Sequence, residues 1–110
     1  MTGEQIMNVL NYTATTIPGK SGFLHASGLT WTNNKGVPED VRVGGAPIEL
    51  DRMYKVATSD YVAAGGRSYE AFKDIPKYDT GFVRASALRE YIMKAGTVAP
   101  KVEGRLTIIE

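Results

Sequence analysis

The chain has 110 residues, of which 43% are hydrophobic and 23% are charged, and 13 basic against 12 acidic residues leave a net charge of +1. This size and composition are typical of one small folded domain, so we treat residues 1–110 as a single domain. The basic residues are scattered, which indicates no nucleic-acid surface, and no apolar run is long enough to span a membrane. The absence of cysteine excludes disulfides and thiolate chemistry.

The N-terminal segment predicts a helix followed by a loop. Thr2 and Gln5 have the spacing of a capping box, and apolar residues then recur at helical intervals, which predicts a helix over Gly3–Ala14. Proline and glycine in residues 17–22 predict a loop directly after it.

The middle of the chain predicts short strands joined by glycine turns. Residues 23–26 and 29–32 have the composition of extended segments, and residues 33–36 that of a turn. Gly44-Gly45 lies between two apolar segments, as in a two-residue hairpin. Residues 53–58 are rich in tyrosine and valine and predict a buried strand.

The C-terminal part predicts mainly helices. A sharp turn at residues 63–66 precedes a short helix over residues 68–73, and the apolar spacing of Arg84–Ala95 predicts an amphipathic helix. Residues 104–109 predict a terminal strand. This order of elements indicates an α+β fold with a mixed or antiparallel β-sheet of hairpins packed by two main helices.

Few residues suggest chemistry. His25 is the only histidine, so neither a metal centre built on several imidazoles nor a convincing Ser-His-Asp triad can be assembled, and we expect no catalytic or metal-ligating residue in the chain. Gly65-Gly66 is either a simple tight turn or a place where a ligand approaches the backbone. Phe23 and Tyr61 lie where loops begin, and each is either a core residue or one side of a sandwich around a flat base.

Four segments in order resemble the 5'-nucleotidase C-terminal domain family. They are residues 2–5, the Ser-Gly-Phe-Leu-His-Ala-Ser-Gly run at 21–28, the segment 50–66 that ends in Ala-Ala-Gly-Gly, and residues 99–105. The resemblance therefore runs through nearly the whole chain. It implies that the chain is the C-terminal part of the substrate-specificity domain of that family.

The resemblance also implies what completes the enzyme. Members of the family hydrolyse nucleotide phosphate esters as 5'-nucleotidases, UDP-sugar hydrolases or 2',3'-cyclic-nucleotide phosphodiesterases. Their calcineurin-like N-terminal domain holds two divalent metal ions that activate a water molecule. We therefore expect this chain to need no cofactor of its own, to be inactive alone, and to belong to a protein that is extracellular, periplasmic or associated with the cell wall.

The same resemblance assigns site residues. Phe23 and Tyr61 correspond to the two rings that stack on the nucleobase, with Gly65 and Gly66 in the turn beside them. Arg67 stands where the family has an acidic residue that accepts hydrogen bonds from ribose. Because a guanidinium only donates, it stacks, meets a phosphate or points to solvent, and the sequence leaves these three possibilities open.

The expected partners follow from what the chain does not contain. The resemblance implies that an earlier half of the domain, with arginines that hold the nucleotide, and the metallophosphatase domain belong to the same protein. Without them, an uncovered sheet edge or apolar face is expected to recruit a second copy and form a homodimer. The alternative function is a non-catalytic binding or self-association module of the same fold that no longer recognises nucleosides.

Overall fold

A computed structural model describes residues 1–15 and 20–110 and has helices together with one β-sheet. The fold is α+β, as predicted. The helices are α1 (Gly3–Ala14), α2 (Asp60–Ala63) and α3 (Arg84–Ala95), and the strands are β1 (Leu29–Asn34), β2 (Val37–Val43), β3 (Ala46–Pro47) and β4 (Leu106–Ile109). Within these residues no helix has the length and apolarity needed to cross a bilayer.

The sheet is mixed and has the strand order β3-β2-β1-β4. β2 pairs antiparallel with both β1 and β3, whereas β4 lies parallel to β1, with Leu106 opposite Trp31. The predicted hairpin at Gly44-Gly45 is confirmed: Val43 pairs with Ala46 across it, and the two glycines have φ values of 60° and 84°. Positive φ at both central residues is the geometry that a two-residue hairpin favours.

Helix α1 lies between two hydrophobic clusters. One face of the helix packs on the sheet, where the buried residues are Ile6, Leu10, Ala14, Phe23, Trp31 and Val41. Val9 lies in a second cluster with Tyr69 and Phe72. The apolar residues whose period predicts α1 are all buried, and they are divided between the two clusters: Ile6, Leu10 and Ala14 in the first and Val9 in the second.

The N-terminus of α1 is fixed in two ways. The predicted capping box is present: Thr2 Oγ1 accepts from the Gln5 amide at 3.2 Å, and Gln5 Oε1 accepts from the Thr2 amide at 2.8 Å. The Gly3 amide donates to the Arg52 carbonyl at 3.0 Å, and a Cβ atom on Gly3 would overlap the Glu49 carbonyl oxygen. The chain at residues 49–52 thus crosses the helix N-terminus at a distance that only glycine permits.

The structure corrects several predicted elements. Residues 53–58 form no strand and are mostly exposed. Met53 makes one isolated bridge to Thr2, and among the described residues the segment has no other strand partner. Residues 23–26 are also not a strand. The short helix expected at residues 68–73 is instead a pair of 3₁₀ turns, Gly66–Ser68 and Glu70–Phe72.

Other predictions differ only at the ends of the elements. The predicted bounds of α1 and α3 are confirmed, and β4 is shorter than predicted by its first two residues. β1 continues through Asn34, so the turn predicted at residues 33–36 is reduced to Lys35 and Gly36. Most of the loop predicted at residues 17–22 lies outside the described residues.

Gly3→Ala tests the close crossing at the start of α1. Alanine is the better helix former by about 1 kcal/mol, so helix propensity alone predicts a more stable protein. We expect the opposite sign, a loss of about 1–3 kcal/mol in the free energy of unfolding, because the methyl group displaces the Glu49 carbonyl. Urea denaturation measures the change, and Asn8→Ala, at an exposed position of α1, is the control that should not destabilise.

Candidate functional site

The predicted turn near Gly65 follows the short helix α2. Ser59 caps this helix, and its Oγ accepts from the Val62 amide at 3.3 Å. Gly65 ends it with φ 91°, a left-handed conformation that reverses the chain and that glycine adopts without strain. The segment from Tyr61 to Tyr69 therefore forms one tight unit in which several side chains have fixed positions.

Tyr61 and Gly66 are in direct contact. The Tyr61 side chain is 61% exposed, yet a Cβ atom on Gly66 would lie 2.6 Å from Cε1 of its ring and 2.5 Å from its carbonyl oxygen. The absence of a side chain at Gly66 is therefore what lets the turn pack against the ring. Gly65 is similarly covered by the aliphatic chain of Lys73. The result is an exposed aromatic ring supported by backbone.

Arg67 and Ser68 follow in a conformation that is unusual for residues with side chains. Their φ values are 56° and 63°, in the left-handed region. This conformation costs an L-residue about 1–2 kcal/mol, so other contacts must hold it. One such contact is the hydrogen bond that the Tyr12 hydroxyl donates to the Arg67 carbonyl at 3.1 Å. The Arg67 side chain is exposed and forms no ion pair within residues 1–15 and 20–110.

Tyr69 anchors the turn to the rest of the molecule. Its side chain is 1% exposed, its hydroxyl donates to the Gly22 carbonyl and lies 2.8 Å from Thr13 Oγ1, and its ring meets Tyr12 edge-on at 4.7 Å. Burial raises the pKa of the Tyr69 hydroxyl. Tyr12 and Tyr69 position the candidate site, although no role was predicted for either; Tyr69 is the last residue of the Gly-Gly-Arg-Ser-Tyr stretch that follows α2, whereas Tyr12 has no signal in the sequence beyond being aromatic.

Phe23 and Tyr61, the two rings expected to stack on a base, are not brought together in the structure. The Phe23 side chain is 8% exposed and lies in the core cluster with Trp31, while its ring meets His25 edge-on at 5.3 Å. The described residues contain no aromatic pair between Phe23 and Tyr61. A ring whose faces are covered by the core has no surface left for a base.

A separate cleft of about 300 Å³ opens between the segment after Phe23 and the approach to β4. His25, Trp31, Val102 and Arg105 are among its lining residues, and Arg105 Nη1 donates to the Ala26 carbonyl at 3.2 Å. Tyr61, Gly65, Gly66 and Arg67 do not line this cleft. Across the described ranges, no three histidine, cysteine, aspartate or glutamate side chains come together.

Comparison with known proteins identifies the fold. The model of the family described as 5'-nucleotidase, C-terminal domain, matches residues 1–74, which include Tyr61 and the whole turn through Tyr69. The chain belongs to the 5'-nucleotidase C-terminal domain family. A 5'-nucleotidase of Vibrio vulnificus is 34% identical over 95 residues, or 86% of this chain, and one of Mus musculus is 43% identical over 61 residues, or 54%.

The structural comparison extends the likeness beyond residue 74. The crystal structure of a 5'-nucleotidase precursor from Thermus thermophilus matches 99% of this chain with a TM-score of 0.86 and 26% identity. The chain spans 24% of that protein, 17% of the Vibrio relative and 11% of the mouse relative. This 5'-nucleotidase C-terminal domain segment thus corresponds to a minor part of each longer protein.

The pKa of Tyr69 makes stability depend on alkaline pH. Because burial raises this pKa in the folded state above the value near 10 of an unfolded chain, the neutral phenol stabilises the fold. That contribution is complete below about pH 10 and is lost as the pH rises further toward the folded-state pKa. We expect the free energy of unfolding to fall as the pH rises over this range. In Tyr69→Phe, which has no hydroxyl to ionise at this position, we expect a smaller fall. Tyr78→Phe, at a residue 91% exposed, is the control that should leave the profile unchanged.

The left-handed conformation of Ser68 predicts a stabilising substitution. Ser68→Gly removes the steric cost of positive φ but adds freedom to the unfolded chain, so we expect a net gain of about 0.5–1 kcal/mol in the free energy of unfolding. Ser68→Ala keeps the Cβ atom and should give no such gain. Thermal or urea unfolding of the two variants separates the backbone effect from loss of the hydroxyl, and equal stability of both would contradict the assignment of strain.

Proposed function

We propose that this chain supplies the nucleoside-contacting surface of a metal-dependent 5'-nucleotidase-type phosphoesterase that hydrolyses nucleotide phosphate esters. The family match and the 5'-nucleotidase relatives support this hydrolase class. In this proposal the two divalent ions and the attacking water belong to a metallophosphatase domain elsewhere in the protein, so the chain alone is inactive. The extracellular, periplasmic or cell-wall location implied by the resemblance belongs to the same proposal.

The supported Tyr61 ring is the observation that carries the proposal. It is exposed, it lies against the backbone of Gly66, and the turn beneath it is anchored through Tyr69 to α1. A flat ring held in this way can stack on a nucleobase with little loss of side-chain freedom, and such stacking contributes about 1–3 kcal/mol per base. Because every base has a π-face, this contact binds without selecting one base.

The rest of the turn suits the sugar side of a nucleotide. Gly65 and Gly66 hold the turn against Lys73 and the Tyr61 ring, so the exposed residue that follows them in the turn is Arg67. Arg67 offers only donors, so its partner on the ligand is an oxygen of the ribose or of a phosphate. With Phe23 in the core, no second ring is paired with Tyr61 among the described residues.

One alternative is a module of the same fold that no longer recognises nucleosides. Two observations favour it: Arg67 stands where the resemblance implies an acidic residue, and Phe23, the second ring that the resemblance implies, is buried in the core. In this alternative Tyr61 is a surface residue without a ligand. Binding of a nucleoside at Tyr61 decides between the two functions.

Titration with adenosine, followed by amide chemical shifts, tests the stacking role. We expect weak binding, with a dissociation constant of about 1 mM or about −4 kcal/mol, and shifts that map to Tyr61, Gly66 and Arg67. Tyr61→Ala should weaken binding by about tenfold or more, while Tyr61→Phe, which keeps the ring, should bind almost as well. Tyr78→Ala removes an exposed tyrosine far along the chain and should change nothing.

Three results would contradict the proposed function or its site. Shifts that survive Tyr61→Ala would place the nucleoside elsewhere on the chain. If no amide shifts at adenosine concentrations well above the expected dissociation constant, the module without nucleoside recognition is favoured. Shifts at Phe23 without shifts at Tyr61 would reverse the assignment of the ring.

A further inference from the structure

Two loops meet beside the Tyr61 ring, and neither of them contains an acidic residue. The first loop is residues 20–22 and the second is residues 66–68. A Cβ atom on Gly22 would lie 4.0 Å from Cβ of Arg67, and the Tyr69 hydroxyl ties the loops together by donating to the Gly22 carbonyl. No aspartate or glutamate occurs in residues 5–38 or in residues 61–69. The basic residues of the two loops therefore determine the charge where the loops meet.

The two basic residues at this place are Lys20 and Arg67. Both are exposed, and in the part of the chain that the structure describes neither forms an ion pair. Lys20 precedes Gly22 by two residues, and a turn in which the Phe23 amide donates to the Lys20 carbonyl at 3.3 Å keeps it close to the contact between the loops. Two neighbouring cations that are not paired with carboxylates are suited to bind one anion.

The backbone of Arg67 is held in place next to the stacking surface. Its φ of 56° is left-handed, and the Tyr12 hydroxyl donates to its carbonyl. Glycine adopts this conformation at lower cost, and a larger residue held in it is the kind of backbone outlier that concentrates at ligand sites. The preceding residue, Gly66, packs against the Tyr61 ring. A ligand that stacks on the ring and extends across the turn therefore meets Arg67 and then the loop at residues 20–22.

We propose that Lys20 and Arg67 bind a phosphate group carried on O2' or O3' of the ligand's ribose. The inference rests on the proposed function, in which the phosphate that is hydrolysed lies at the metal ions of another domain, so the phosphate bound here is a second one. In dinucleotide-binding proteins a carboxylate binds the free ribose hydroxyl, whereas an arginine accommodates a phosphate at that position. The ligand class is therefore a nucleotide with a further phosphate on its ribose, such as a nucleoside 3',5'-bisphosphate.

Titrations of the 110-residue chain with adenosine and with its 2'-, 3'- and 5'-monophosphates, followed by amide chemical shifts, test the inference. We expect the 2'- or the 3'-phosphate to lower the dissociation constant by about tenfold or more relative to adenosine, because it reaches both cations. The 5'-phosphate should lower it by less than about threefold. The gain should shrink as the salt concentration rises, since exposed charges are screened. Inorganic phosphate alone should bind more weakly and shift the amides of residues 20–22 and 66–68.

Substitutions that remove one charge each locate the phosphate. Arg67→Gln keeps a long side chain at the left-handed position, so it removes the charge without relieving the backbone. It should reduce the ratio of dissociation constants between adenosine and the tightest-binding monophosphate to about 2 or less, and Lys20→Gln should reduce the ratio about threefold. Arg67→Lys, which keeps the charge, should retain part of the gain. Arg89→Gln removes the same charge from an exposed position of α3 and should leave the ratio unchanged.

Four outcomes would overturn the inference. They are equal affinity for adenosine and all three monophosphates, a gain from the 5'-phosphate as large as that from the others, a ratio that Arg67→Gln leaves unchanged, and binding of inorganic phosphate as tight as that of the monophosphates. The last would assign the two cations to free phosphate. Because inorganic phosphate does not need the Tyr61 ring, its shifts report on Lys20 and Arg67 even where adenosine does not bind. Failure of this inference is therefore distinguishable from failure of the proposed function.

Discussion

The burial of α1 between two hydrophobic clusters is the constraint on which the rest of the structure depends. The sheet cluster around Trp31 packs on one side of the helix, and Tyr69 and Phe72 pack near Val9 on another. A 12-residue helix is marginal alone, so α1 and its two clusters stabilise each other. Its start is fixed by the capping box and by the crossing at Gly3, where a larger residue would push the chain away. Contacts with α1 therefore hold both the sheet and the turn at residues 61–69 in place.

The candidate site takes its geometry from the C-terminal end of the same helix. Tyr12 holds the Arg67 carbonyl, and Thr13 lies within hydrogen-bond distance of the Tyr69 hydroxyl, so the strained residues of the turn are attached to a buried element. Backbone strain of this kind persists only where surrounding contacts over-determine it, and it concentrates at functional sites. The exposed Tyr61 ring is thereby fixed without being buried. This combination of a rigid support and a free surface is what a stacking contact needs.

The buried part of the chain and the part that matches the family model nearly coincide. The family match ends at residue 74, and Phe72 is the last buried hydrophobic residue along the chain. Beyond it the chain continues in the arrangement of the Thermus structure, but only β4 returns to the sheet, where it pairs with β1. Residues 1–75 therefore contain the two clusters, whereas the segment around α3 presents apolar surface outward.

The sequence alone predicts the elements that local interactions determine. The bounds of α1 and α3 follow from cap spacing and apolar period, and the hairpin at Gly44-Gly45 follows from residues that accept positive φ, because these signals act over a few neighbouring positions. Family membership was likewise readable from four ordered motifs. The strand expected at residues 53–58 failed because β-propensity needs a neighbouring strand, and none of the described strands lies beside it.

Only the tertiary structure decided which aromatic residue is available for a ligand. The sequence predicts similar settings for Phe23 and Tyr61, beside loops and near glycines, yet the structure buries Phe23 in the core with α1 and the sheet and leaves Tyr61 exposed in α2. The left-handed conformation of Arg67 and Ser68 likewise depends on Tyr12 and Tyr69, which are 55 and 56 residues from their hydrogen-bond partners. Burial and long-range hydrogen bonds are properties of the assembled chain, and no local pattern encodes them.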